Sequence, residues 1–287
     1  MPVASNPAAA GRSGQVDFTG AFRQQWVGFS DAPTQILLAI DSEVKFLKNF
    51  HGVGVLVAQD RSGLFTILDI AANYSYHIYL DKGILGLGAR FGMHNVKFDS
   101  SDLSTAPQSI SDGYHQESDE AISGSEESKG AFDAGLGAFY QSDLSFLSLS
   151  VLHLTAPEVE FNQGSLFKVR PVLSFAAGRL FGQDVGNHAI EPRLSLRSDF
   201  ASMQLEMSLN VNVHQRVWFG LGARIQDALL AGLGIHLRNG LDFAYGYDLC
   251  LSKLKRYNSG SHDVVVRYSF DFDSQKPSKR YKSVRIL

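Results

Sequence analysis

Leu241-Asp242-Phe243-Ala244-Tyr245-Gly246-Tyr247-Asp248-Leu249-Cys250 is the stretch that decides the fold. Large apolar side chains stand at every odd position. Charged or small ones stand at every even position. Successive side chains of a strand point to opposite faces, so this run is a β-strand with one greasy face and one polar face. The pattern returns at Val264, Val266, Tyr268, Phe270 and Phe272, set against Asp263, Val265, Arg267, Ser269 and Asp271. The two runs read as one hairpin, Gly240 to Phe272.

The same alternation recurs along the whole chain. Val16 to Val27 sets Phe18, Phe22 and Trp26 against Asp17, Thr19, Arg23 and Gln25. Runs follow at Thr34–Val44, Gly52–Ala58, Leu68–Leu80, Leu85–His94, Phe132–Tyr140, Ser145–His153 and Phe167–Arg179. Four more follow, over Ile190–Arg197, Met203–His214, Val217–Gln226 and Leu229–Arg238. With the last hairpin this gives about fourteen strands, and no stretch has a helical period. Asp81-Lys82-Gly83 and Asn239-Gly240 are tight hairpin turns. Asp99 to Gly130 breaks the pattern: it is Ser-rich and acidic and reads as a long solvated loop.

Composition separates the alternatives. The 287 residues are 44% hydrophobic, with a formal net charge of -3, so no basic footprint for nucleic acid is present. No run approaches the ~20 apolar residues of a membrane helix, and the mean hydropathy of -0.06 fits strands that are only half apolar. The single cysteine, Cys250, excludes an internal disulfide framework. A soluble β-sandwich would alternate similarly, but it rarely needs so many strands and would carry more Lys and Glu on its outer face. An even strand count, with tight turns at one end and longer loops at the other, is the layout of a transmembrane up-and-down antiparallel β-barrel. Its apolar faces meet outer-membrane lipid. Its lumen takes Glu191, Arg193, Arg197, Glu206, Arg224, Asp242 and Arg267. Tyr74, Tyr76, Tyr245, Tyr247, Tyr268 and Phe270 are candidates for interfacial girdles.

Two stretches carry a family resemblance. One is Asn6-Pro7-Ala8-Ala9-Ala10-Gly11, followed by Phe22-Arg23-Gln24-Gln25-Trp26-Val27-Gly28-Phe29 and Ala32-Pro33. The other is Tyr245-Gly246-Tyr247-Asp248, Leu251-Ser252-Lys253-Leu254 and Tyr257-Asn258-Ser259-Gly260-Ser261-His262-Asp263. Both resemble the PorP/SprF family of outer-membrane proteins of the type IX secretion and gliding machinery of Bacteroidetes. The resemblance implies a barrel in the cell outer membrane. Its implied partners are periplasmic ring or lipoprotein components, and secreted surface adhesin or cargo. The chain departs from the family at Ala9, where an aromatic is usual, and in lacking a signal peptide over Met1 to Gly14. Because a barrel must cross the inner membrane, Met1 is expected to lie inside a longer precursor.

The expected organisation is an N-terminal periplasmic segment over 1–15 and a barrel over 16–272. The barrel carries a long extracellular loop at 99–131, and a basic periplasmic tail follows at 273–287. Arg23 and Gln25 are expected to point inward and to join Asp248 and His262 in a lumenal polar cluster. Trp26, Gly28, Tyr257, Gly260 and Ser261 complete the motif set. His77, His94, His214 and His236 fall on lumen positions without metal-ligand spacing. Ser261-His262-Asp263 holds the residue types of a hydrolase triad, but neighbours on a strand point oppositely. Gly86-x-Gly88 and Gly220-x-Gly222 lack the strand–helix context of phosphate loops and read as bends in lumen-facing wall. The acidic loop lacks a calcium-loop pattern. No catalytic residue, cofactor or metal is expected. The functional reading is a secretion component that binds or anchors partners. The alternative is a porin or transporter for small hydrophobic or polar solutes. An occupied lumen favours the first and a continuous channel the second.

Overall fold

A computed structural model describes residues 1–99, 126–160, 166–182 and 188–271. The strands are β1 Val16–Gln24, β2 Thr34–Phe46, β3 Asn49–Ser62, β4 Phe65–Leu80, β5 Gly83–Asp99, β6 Glu126–Gln141, β7 Ser145–Leu152 and β8 Glu158–Glu160. They continue with β9 Leu166–Lys168, β10 Val172–Arg179, β11 His188–Ser198, β12 Met203–Val213, β13 Val217–Arg224, β14 Ala228–His236, β15 Leu241–Cys250 and β16 Ser261–Phe270. All but β8 and β9 form one closed antiparallel barrel of fourteen strands, in which each pairs with its sequence neighbours and β1 pairs with β16. Closure leaves no barrel strand without a partner on either side, which is what a medium without water demands of the backbone.

The barrel is inside-out relative to a soluble protein. Leu38, Phe91, Leu136, Leu221 and Leu233 are exposed on the outer wall, while Ser75, Glu191 and Asp242 are buried within. The connections sort by rim. The proximal rim, where the chain begins, carries 47–48, 81–82, 142–144, 180–187, 214–216 and 237–240. The distal rim carries 25–33, 63–64, 100–125, 153–171, 199–202, 225–227 and 251–260.

The register fixes where the apolar band stops. Val57, Ile70, Met93 and Phe132 sit side by side in one outward row. The next outward row toward the distal rim is Gln59, Leu68, Asn95 and Gly130. The one after it is Arg61, Thr66, Lys97 and Ser128. Strands β3 to β6 are 14, 16, 17 and 16 residues long, beyond the roughly 9–11 that a tilted strand needs to span. They therefore rise past the membrane as a blade. On the blade the alternation inverts, with polar residues outside and Phe65, Ile67, Val96, Phe98 and Ala131 inside. The inner face is covered by the β8–β9 hairpin, whose Val159 and Phe167 pack on it.

This inversion corrects the loop boundaries. The sequence reading closes β5 near His94 and opens β6 at Phe132, because the apolar residues change face there. The strands instead run to Asp99 and from Glu126, and residues 100–125 lie outside the described part. The expected strand Phe167–Arg179 is also divided. Leu166–Lys168 belongs to the hairpin, and Pro171, with no N–H to give a ladder, precedes the barrel strand at Val172. The first strand stops at Gln24, and Trp26 takes a left-handed backbone with φ 47°. The basic tail, Phe272 included, lies outside the described residues. His214 is exposed in the 214–216 turn rather than on a lumen wall.

The band predicts a depth-dependent cost. Leu136→Arg, near its middle, should destabilise the barrel by about 2–4 kcal/mol, and Ser128→Arg, on the blade, by no more than ~0.5 kcal/mol. Urea unfolding of both variants in lipid vesicles checks this, and equal effects would remove the proposed boundary.

Candidate functional site

The site is the lumen, and it is filled from the N-terminus. Residues Pro2–Ser5 form one helical turn and Pro7–Ala9 a 3₁₀ turn, both inside the wall. Asn6, Ala8, Ala9 and Ala10 are buried. The segment expected as a separate periplasmic piece thus lies within the barrel. It runs along the inner face of β2 to β7. Val3 and Ala10 share an apolar cluster with Ala39 and Leu56 of β2 and β3, and Ala8 and Ala9 share one with Phe139, Phe146, Leu180 and Ala189.

A single ladder row makes room for it. Gly52, Ser75, Gly88, Gly137 and Ser150 lie side by side across β3 to β7. A methyl on Gly52 would overlap the Ala10 carbonyl; on Gly88, the Ala8 backbone; on Gly137, the Asn6 carboxamide. These inward glycines, Gly86 among them, are clearance for a second layer of backbone rather than bends in the wall. The two serines of the row donate to it: Ser75 Oγ to the Ala8 carbonyl at 3.0 Å and Ser150 Oγ to the Ser5 carbonyl at 2.6 Å.

Further wall groups bond the segment. Asn6 Nδ2 donates to the Ala138 carbonyl at 2.9 Å and Ser148 Oγ at 2.8 Å, and its Oδ1 accepts from Ala8 N at 2.9 Å. Gly11 N donates to Asp41 at 2.8 Å, and Gly11 itself has φ 68° with backbone packed against it. Arg90 donates to the Val3 and Ala4 carbonyls at 2.7 and 2.9 Å and to Asn73 at 2.8 Å. His77 Nε2 meets the Ala10 carbonyl at 3.1 Å, and its Nδ1 faces Glu43 at 3.2 Å. Arg12 donates to Gln141 at 3.2 Å. Burial, and then the nearby Arg267, pull Arg12 down to about 10, while Asp17 and Asp41 act the other way, so it stays cationic at neutral pH.

The side of the lumen from β11 through β16 to β1 is lined with ion pairs. Arg23 binds Asp248 at 2.7 Å and Asp263 at 2.5 Å. Arg224 joins them through Asp248 at 3.0 Å, Glu206 at 3.2 Å and Asp227 at 3.2 Å. Closer to the proximal rim, Asp242 pairs with Arg267 and with His236 at 2.8 Å, and Arg193 with Glu191 at 2.8 Å. Trp218 lies over Gly220, Gly232 and Gly234, positions where a side chain would strike its indole.

Of the motif residues, the structure brings Arg23 and Asp248 together, with Asp263 and Arg224 as partners. His262 does not join them. Asp263 points inward, so His262 one residue earlier points outward, where its Nδ1 meets Tyr245 Oη at 2.6 Å. Gln25 lies just past β1, with its amide donating to the Pro33 carbonyl at 2.8 Å. The remaining motif residues stitch the first distal loop to the last. Val27 N donates to the Gly260 carbonyl at 2.9 Å, Ser259 N to the Val27 carbonyl at 2.7 Å, and Trp26 N to Ser261 Oγ at 3.2 Å. Gly28 and Gly260, at φ 113° and 91°, permit these turns. A methyl on Gly28 would press on the Tyr257 carbonyl, and one on Gly260 would enter the Tyr247 ring.

A sequence model of the family described as type IX secretion system membrane protein PorP/SprF matches residues 1–268. The chain belongs to this family. The match covers the lumenal segment, the ion pairs and both end motifs of this PorP/SprF protein, which is an outer-membrane β-barrel. No curated protein matches it. Among solved structures, it is similar to the Ralstonia pickettii toluene transporter TbuX, with TM-score 0.55, 10% identity, and 95% of this chain and 94% of that one covered. It is also similar to a deltaS2 mutant of the TodX monoaromatic hydrocarbon channel, with TM-score 0.54, 11% identity and 94% of each chain covered. At such identities the likeness is one of fold.

The fit between segment and row yields a coupling test. Gly137→Val should cost about 1–3 kcal/mol by overpacking against Asn6. In an Asn6→Ala background the same substitution should cost distinctly less, because the clashing carboxamide is gone. Urea unfolding of the four proteins measures the cycle, and strict additivity would place Asn6 away from that wall.

Proposed function

We propose that this PorP/SprF protein is an interaction component of the type IX machinery: a filled barrel that anchors or receives partners, not a solute pore. The observation that carries this reading is the N-terminal segment lying inside the wall and bonded to β2 and to β4 through β7. Opening the β2 to β7 side of the lumen to solutes would require removing it, together with the wall bonds of Asn6, Arg90 and Ser75.

In this reading the distal rim, which carries most of the longer connections, is extracellular and the short-turn rim faces the periplasm. The blade of β3 to β6 then stands outside the membrane, and secreted surface protein or cargo is the partner suited to it. The short turns of the opposite rim suit a flat contact with ring or lipoprotein components. Catalysis is not part of the proposal.

Planar-bilayer recording tests the reading. The intact protein should show no steady conductance, and deletion of residues 2–14 should open one, with heat-modifiable migration confirming that the barrel still forms. Steady conductance by the intact protein would favour the solute-transporter alternative.

A further inference from the structure

We propose that the outer wall over β10 to β13 is a binding site for one phospholipid of the leaflet at the proximal rim, with its acyl chain in a groove and its phosphate on Arg179. The groove is a shallow recess, open on its lipid side, with a volume of about 790 Å³. Register explains why it exists. Pro192, Leu209 and Leu221 form one outward row, and Ala177, Leu194, Met207 and Ala223 the next. Ala177, Pro192 and Ala223 are short among longer neighbours, so the wall is recessed there. The recess lies over a break in the β10–β11 ladder. The named pairing ends at Gly178 with Arg193 and resumes only as the single bridge of Phe181 with Ile190. Pro192, without an N–H, sits in that break.

An apolar recess alone would hold acyl chains no better than the rest of the wall, because lipid tails gain only packing there. What distinguishes this one is its polar end. Arg179 lines the groove, closes β10 at the proximal rim and is exposed. Its guanidinium lies 5.3 Å over the exposed Phe181 ring. No carboxylate pairs with it among the described residues. An arginine held over an aromatic ring at the interface, at the mouth of an acyl-sized groove, is complementary to a phosphate ester with a chain attached. The position at the proximal rim selects a glycerophospholipid of the periplasmic leaflet, given the orientation proposed above, over lipopolysaccharide of the opposite one.

Native mass spectrometry of the detergent-solubilised protein, titrated with dioleoyl phosphatidylglycerol, tests this. The unaltered protein should retain one lipid, and Arg179→Ala should weaken that binding by about tenfold to a hundredfold. Arg179→Lys should weaken it less. Ala223→Phe, which fills the recess and leaves the charge, should also abolish the bound lipid while heat-modifiable migration shows an intact barrel. Equal retention by all four proteins would overturn the proposal. So would retention of dioleoylglycerol, which has no phosphate, as tightly as the phospholipid, or a preference for lipopolysaccharide.

Discussion

Backbone amides inside a bilayer have no water to bond, and that constraint organises this molecule. It forces the sheet to close, so β1 must find β16 across nearly the whole sequence. Closure in turn creates an interior that cannot be an oily core, because the apolar side chains are spent on lipid. What remains inside is charge, hydroxyl and glycine. Each buried polar group then needs a partner, and the chain supplies two kinds. Cross-strand ion pairs serve β11 to β16 and β1, and a returning piece of its own backbone serves β2 to β7.

The returning piece works through shape before it works through bonds. A carbonyl can approach a strand as closely as Ala10 approaches Gly52 only where no Cβ intervenes. Five small residues in one register row provide that access, and the alanines of the segment keep its own width small. Hydrogen bonds from Asn6, Ser75, Ser150 and Arg90 then fix the position, each contributing roughly 0.5–1.5 kcal/mol net, somewhat more for the charged donor. Because the row depends on register, a slip of one residue would present Leu87 or Leu136 to the lumen instead of Gly88 or Gly137, and the seat would vanish.

The barrel itself was legible in the sequence because alternation with period two is a direct image of two unlike environments. Met203 to Val213 shows it without interruption. Legibility failed where the environments changed. On the blade, Val96 and Phe98 face a hairpin while Asn95 and Lys97 face water, so the alternation reverses and looks like the start of a loop. Asn6 to Gly11 has neither helical nor strand period. Its only signal is the glycines at inward positions of β3, β5 and β6, and their alignment appears once the register is known. His262 shares its face with Val264 and Val266, so parity alone puts it outside and Asp263 inside. Parity alone puts Arg23 and Asp248 on inward faces, but pairing Asp263 with Arg23 and Arg224 with Asp248 requires the register.

The central claim is that residues of the N-terminal segment are sealed inside the wall. It is tested most directly by chemical access in native membranes. In a Cys250→Ser background, a cysteine at Ala9 should resist a membrane-impermeant maleimide from either side until the barrel is unfolded, while a cysteine at Ser128 on the blade reacts at once. Reaction at position 9 as fast as at position 128, with the barrel intact, would contradict the account.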